Sequence, residues 1–140
     1  MPTVAAESDR PTGIDVLHRY LASVAADSDI DELMEMFTED AVLEMPYHPD
    51  EAARVLDGRD AIRARVAISR KLFSRISFFD IVIRRTDDEA TFVLEYGGDG
   101  ESTDGKVYRN RYCVIAQLRD GRLALWREYF NPAIRDSALS

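Results

Sequence analysis

A chain of 140 residues, 46% hydrophobic and 31% charged, has the make-up of one soluble globular domain whose core needs no staples. Its formal net charge of −8 argues against a nucleic-acid phosphate surface or an anionic membrane as the main partner. Cys113 is the single cysteine, which excludes an internal disulfide; within a predicted strand, far in sequence from His18 and His48, it reads as packing rather than as a nucleophile.

No apolar run approaches the roughly 20 residues of a membrane span. The opening MPTVAAESDR carries acids and lacks a signal-peptide core, so the cytoplasm is the expected compartment. Residues 1–10 read as a disordered lead-in, 11–135 as one domain and 136–140 as a tail. Pro11 to Ala26 predicts a first helix with Ile14, Leu17, Leu21 and Val24 on one stripe. Tyr20 lies near the edge of that stripe, either as a core aromatic with a wet tip or with its hydroxyl in a cavity.

Asp29 and Glu32 make a capping-box-like start for a second helix with Ile30, Leu33, Met34 and Phe37 on its apolar side. Thr38-Glu39-Asp40 is expected to end it, before a short strand AVLEMPY that Pro46 stops. A polar loop from His48 leads to Gly58 and a third helix, GRDAIRARVAISRKLF, that buries Ile62, Val66 and Phe73. The period then changes to that of strands: SFFDIVIRR, a turn at Thr86–Glu89, and TFVLEYGG. GDGESTDG reads as a mobile, acidic connection.

The last hairpin, YRNRYCVIAQLRDGRLALWREYFN, turns at Asp120-Gly121, a strong hairpin signal between two apolar runs. Strand alternation places Ala124, Trp126, Glu128 and Phe130 on one face, and Leu123, Leu125, Arg127 and Tyr129 on the other. Glu128 therefore shares its face with large aromatics and either lines an apolar concavity or pairs with Arg109 or Arg111 across the hairpin. The other face predicts a homodimer, because Leu123, Leu125 and Tyr129 form a stripe that the helices cannot also cover.

These elements predict an α+β fold, three helices in the N-terminal half packed with a curved, mostly antiparallel sheet around a pocket. No phosphate loop, paired metal-ligand motif or nucleophile elbow is present, so neither a cofactor nor a metal is expected. The polar groups available for acid/base chemistry are Tyr20, Glu44, Tyr47, His48, Tyr96, Asn110, Tyr112, Glu128 and Asn131. His48, between two prolines on a loop, is either a surface residue or a group at the pocket mouth.

The element order, EDAVLEMP leading to GRDAI, and the ending Tyr-x-Asn-x-Tyr, Leu-Arg-Asp-Gly-Arg-Leu, Arg-Glu-Tyr-Phe-Asn resemble the nuclear-transport-factor-2-like superfamily in its SnoaL-like polyketide cyclase branch. FVLEYGGDG and the last hairpin are similar to the phenazine-biosynthesis A/B proteins. The resemblance implies a cone-shaped sheet and an acid/base role for Glu128, while the partner histidine of those proteins finds no match between Arg63 and Leu72. The aspartate of SnoaL-type cyclases falls near Val114, and that of ketosteroid isomerase at Met45, beside Glu44.

The expected site is therefore Glu128, His48 and Tyr20 as proton-transfer or hydrogen-bonding groups. Met45, Tyr47, Tyr96, Asn110, Tyr112, Val114, Trp126 and Phe130 would bind a hydrophobic or aromatic small molecule. Two functions fit: an enzyme of secondary metabolism that cyclises, isomerises, dehydrates or condenses a ring compound, or a dimer that binds such a compound without reacting.

Overall fold

Thr12 starts the first helix as expected of a capping box: its hydroxyl accepts the Asp15 amide, and the Asp15 carboxylate accepts the Thr12 amide, both at 3.1 Å. The structure is a computed structural model and describes residues 12–139; the expected lead-in lies outside them. Helix α1 spans Gly13–Ala25 and α2 only Ile30–Met34. Strand β1 (Phe37–Glu44), a 3-10 turn (Glu51–Ala53) and β2 (Val55–Asp57) precede α3 (Arg59–Leu72). Four long strands follow, β3 (Phe73–Arg85), β4 (Thr91–Ser102), β5 (Val107–Arg119) and β6 (Arg122–Phe130), before α4 (Pro132–Leu139).

The six strands form one curved, open sheet in the order β2-β1-β6-β5-β4-β3. All neighbours are antiparallel except β1 and β6. Asp80, at φ 54°, bulges β3 between Phe79 and Val82 and helps bend the sheet. The core lies on the concave side, where Leu17, Leu33, Phe37, Ile62, Leu94 and Val114 are fully enclosed. Burying each such aliphatic or aromatic side chain contributes roughly 1.5–3 kcal/mol.

Five expectations change. Phe37 to Asp40 belong to β1 rather than to the second helix; Phe37 packs edge-on against Tyr20 at 5.5 Å, and strand alternation keeps it in the core. Residues 55–57, read as loop, pair with the end of β1. Gly98 to Ser102, read as a mobile connection, continue β4, and the glycines there make room for neighbours. A Cβ on Gly98 would stand 2.8 Å from the Tyr112 ring, and one on Gly100 2.8 Å from the Arg75 carbonyl. Pro132 ends the sheet but also opens α4: Asn131 caps it by accepting the Ala133 amide at 3.0 Å, and proline needs no partner at the first helical position. The helix runs through the expected tail, with Ala138 buried.

The fifth change is in β6. The predicted two-residue turn is present, with Asp120 and Gly121 at φ 53° and 75°. Leu118 pairs with Leu123, but Gln117 pairs with Leu125, so Ala124 is an inserted residue. Leu123 therefore faces inward with 0% exposure, and the apolar stripe on the outer face keeps only Leu125 and Tyr129, both half-exposed. Cys113 is exposed on that outer face rather than packed inside.

Candidate functional site

Between the concave face of the sheet and the helices lies a cavity of about 300 Å³. Helix α1 supplies Tyr20 and Val24, β1 leads to Leu43 and Met45, α3 supplies Arg65, Val66 and Ser69, and β3 supplies Phe73 and Phe78. Tyr108 and Tyr112 come from β5, Trp126, Glu128 and Phe130 from β6, and Arg135 from α4. The walls around Tyr20, Trp126 and Phe130 are aromatic and aliphatic, as small-molecule sites are, while arginines, serines, Asp27 and Glu128 add charged and polar groups to the lining.

Glu128 reaches this cavity because, past the bulge, Trp126, Glu128 and Phe130 alternate inward opposite Ala116, Val114 and Tyr112 of β5. Its carboxylate is enclosed by protein yet partly reachable from within the cavity. The indole Nε1 of Trp126, two residues earlier on the same face, donates to its Oε1 at 3.2 Å. Burial raises the carboxyl above its ordinary range, and the Trp126 hydrogen bond, the Arg135 charge and a hydrogen bond from Tyr96 oppose that rise. Neither Arg109 nor Arg111 pairs with it: they face outward to Asp99 and Asp80, at 3.5 and 3.6 Å. The open-cavity alternative for Glu128 therefore replaces the cross-hairpin ion pair.

Three phenols surround this carboxyl. Burial first, and then the Glu128 charge, pushes Tyr20 above its ordinary value, and Tyr96 is raised by the same two causes. Burial, then Tyr108 and Glu128, does the same for Tyr112, whose hydroxyl lies 2.6 Å from that of Tyr108. All stay neutral and can donate. Tyr96 stacks on Tyr112 at 5.0 Å and touches Glu128 from behind the cavity wall.

Of the expected residues, the cavity wall contains Glu128, Tyr20, Met45, Tyr112, Trp126 and Phe130. Five others lie elsewhere, Tyr96 among them, behind the wall. Tyr47 is 60% exposed, because a turn in which the His48 amide donates to the Met45 carbonyl at 3.0 Å directs it outward, against Tyr129 at 5.5 Å. Val114 is fully buried in the core and does not line the cavity. Asn110 is buried and fully used: its amide donates to the Tyr108 hydroxyl and the Asn131 carbonyl, and its oxygen accepts the amides of Arg111 and Asn131. It staples β5 to the end of β6 rather than facing a ligand.

His48 corrects both of its expected alternatives. It is 3% exposed, with Nδ1 accepting the Asp50 amide at 2.9 Å and Nε2 standing 2.8 Å from Arg65. Burial first, then Arg135 and Arg65, holds it below the usual histidine value. It is a buried loop anchor behind the cavity wall. Glu44 is likewise outside, in an ion pair with Arg127 at 2.6 Å.

Sequence reasoning missed Arg65, Arg135 and Tyr108. The Asn-Pro pair at 131–132 was the signal for α4, and hence for Arg135. Arg65 and Ser69 lie four apart on α3 and share one helix face. Among the described residues no group of three or more His, Cys, Asp or Glu side chains could hold a metal ion, and no helix is long and apolar enough to cross a membrane.

Residues 17–126 match the model of the SnoaL-like domain. YesE of Bacillus subtilis (strain 168), itself uncharacterised, is 29% identical over 86% of this chain and 82% of its own length. The PhzA/B-like protein PA3332 of Pseudomonas aeruginosa (strain PAO1), also uncharacterised, is 30% identical over 70% of each chain. Among solved structures, a candidate isomerase from Bacillus subtilis superposes with a TM-score of 0.83 at 28% identity, covering 90% of this chain and 91% of that one. A candidate polyketide cyclase from Pseudomonas putida KT2440 shares the fold with a TM-score of 0.78 at 17% identity, over 92% and 98% of the two chains.

Proposed function

This chain belongs to the SnoaL-like domain family, and we propose that it is a cofactor-free acid/base enzyme of bacterial secondary metabolism. Its substrate is an aromatic or polycyclic intermediate, which it cyclises, isomerises, dehydrates or condenses. One observation carries this reading: Glu128 opens into an aromatic cavity, forms no ion pair among the described residues and is held by a neutral indole donor. The names of the PhzA/B-like relative and of the cyclase-like fold neighbour support the chemical class.

The chemistry follows from the surroundings. A carboxyl raised by burial above its ordinary range is a stronger base than a free one and can take a proton and return it. Glu128 removes a proton beside a substrate carbonyl and returns it at another position. The neutral hydroxyls of Tyr20 and Tyr112 hydrogen-bond the oxygen on which negative charge collects. Burial of Glu128 and Tyr20 lowers the dielectric around them, so these hydrogen bonds act more strongly than in water.

A non-catalytic small-molecule binder is the second reading, favoured by one feature. Among the described residues no histidine faces Glu128: α3 carries none, and both ring nitrogens of His48 are turned into the fold. Glu128→Gln separates the two, measured on the ring compounds that co-purify from the producing cell. On the enzyme reading turnover falls by ~10²–10⁴ while folding and ligand binding survive. Unchanged turnover, or no turnover in the wild type, hands the site to the binder.

A further inference from the structure

The net charge of −8 conceals a cationic end to the cavity. Four arginines line it, and two are answered by acids: Arg70 by Asp27 at 3.2 Å, and Arg75 by Asp99 and Glu101. Arg65 and Arg135, both half-buried, form no ion pair among the described residues. They also act on each other: burial first, and then the Arg135 charge, works against the Arg65 cation. Two like charges brought together beside apolar walls cost free energy unless an anion joins them.

The neighbour of Arg65 sharpens the point. His48 Nδ1 accepts the Asp50 amide proton, so the hydrogen-bond network assigns the proton of the neutral imidazole to Nε2. That nitrogen is the one 2.8 Å from the Arg65 guanidinium. A donor thus faces a donor, and His48 supplies Arg65 with no acceptor. The charge of Asp50 favours the Arg65 cation and that of Glu128 acts on Arg135, but neither acid closes an ion pair with them among the described residues, so a place for an acceptor with negative charge stays open.

We infer that Arg65 and Arg135 form a carboxylate-binding end of the cavity, and that the ligand is a ring compound carrying a carboxylate. The rings of Tyr20, Trp126 and Phe130 take its apolar body, and the two guanidinium groups take its charged edge, for which their planar forks are suited. A carboxylate fits better than a phosphate dianion, whose second charge would meet Glu128 in the same confined space. The inference rests on the cavity as a ligand site and not on proton transfer by Glu128.

The test is calorimetric titration of the full chain with benzoate and 2-naphthoate, against benzamide and 2-naphthamide as neutral isosteres. The better acid should bind about tenfold or more tightly than its amide, because hydrogen bonds to charged groups are the stronger ones. Raising salt should narrow that ratio less than it would for an exposed site. Arg65→Gln and Arg135→Gln should each reduce the acid's affinity and leave the amide's unchanged, with circular dichroism confirming the fold. Equal binding of acid and amide by the wild-type protein overturns the inference while leaving the cavity as a ligand site. Failure of both to bind at millimolar concentration overturns the inference and the ligand-site reading together.

Discussion

The two faces of the sheet treat their acids differently. On the outer face Glu44 meets Arg127 at 2.6 Å, Glu95 meets Arg84 at 2.7 Å, and Asp99 and Asp80 meet Arg109 and Arg111. These pairs are mostly wet and cross-strand, an arrangement that sets register and solubility more than stability. On the inner face one carboxyl, Glu128, has an indole and a phenol instead of a guanidinium. The same residue type is thus a solvated pairing group on one side and a tuned acid on the other. What differs is the access of water and the charge of the partner.

Truncating the inner face should cost most. Leu94→Ala removes a fully enclosed side chain and should destabilise by about 2–5 kcal/mol, seen as a lower denaturation midpoint in urea. A loss below about 1 kcal/mol would mean that the concave face is not the main core.

The next effect is smaller and depends on pH. Glu128 carries a folded-state value above its unfolded one, so the native state holds extra proton between the two. Stability therefore falls as pH rises through that window. Glu128→Gln removes the penalty: its melting temperature should exceed the wild type's at pH 8, and the gap should shrink as pH drops below ~4.3. A gap that widens toward acid pH would show an ionised, paired Glu128 instead.

The smallest effect belongs to the outer face. Breaking Arg84–Glu95 by Arg84→Ala should cost only about 0.2–1 kcal/mol, and a double-mutant cycle with Glu95→Ala isolates the pair. A coupling above about 2 kcal/mol would erase the contrast between the faces.

Much of the fold was legible because it rests on local rules. Alternation and an Asp-Gly turn specified the last hairpin, and the Thr12–Asp15 box lies inside the predicted first helix. Tertiary pairing was not legible. Phe37 fits a helical stripe and a strand equally well, and only its packing on Tyr20 decides for the strand. The glycines at 97–100 carry the composition of a loop, yet aromatic rings lying over Gly97 and Gly98 and backbone beside Gly100 explain their place in β4. In the site, Glu128, Trp126 and Phe130 followed from a single strand. Arg65 and Arg135 come from separate helices, and no pattern within one element announces that they meet at one cavity. His48 was misplaced because a loop histidine between prolines gives no sign that its ring is buried.

Ala124 decides a question of parity. With one extra residue between the turn and Trp126, the strand counts odd on one side and even on the other, so Leu123 and Trp126 both reach the interior. Were the same residues to pair without the bulge, the side chains after Leu123 would turn by one step. Arg127 would then present a guanidinium opposite Val114, where a carboxyl now stands, and Glu128 would join the solvated ladder outside. Loss of Ala124, by contrast, would leave a regular hairpin with Glu128 still inward, so the acid character of the cavity is held by the place where β6 takes up its extra residue.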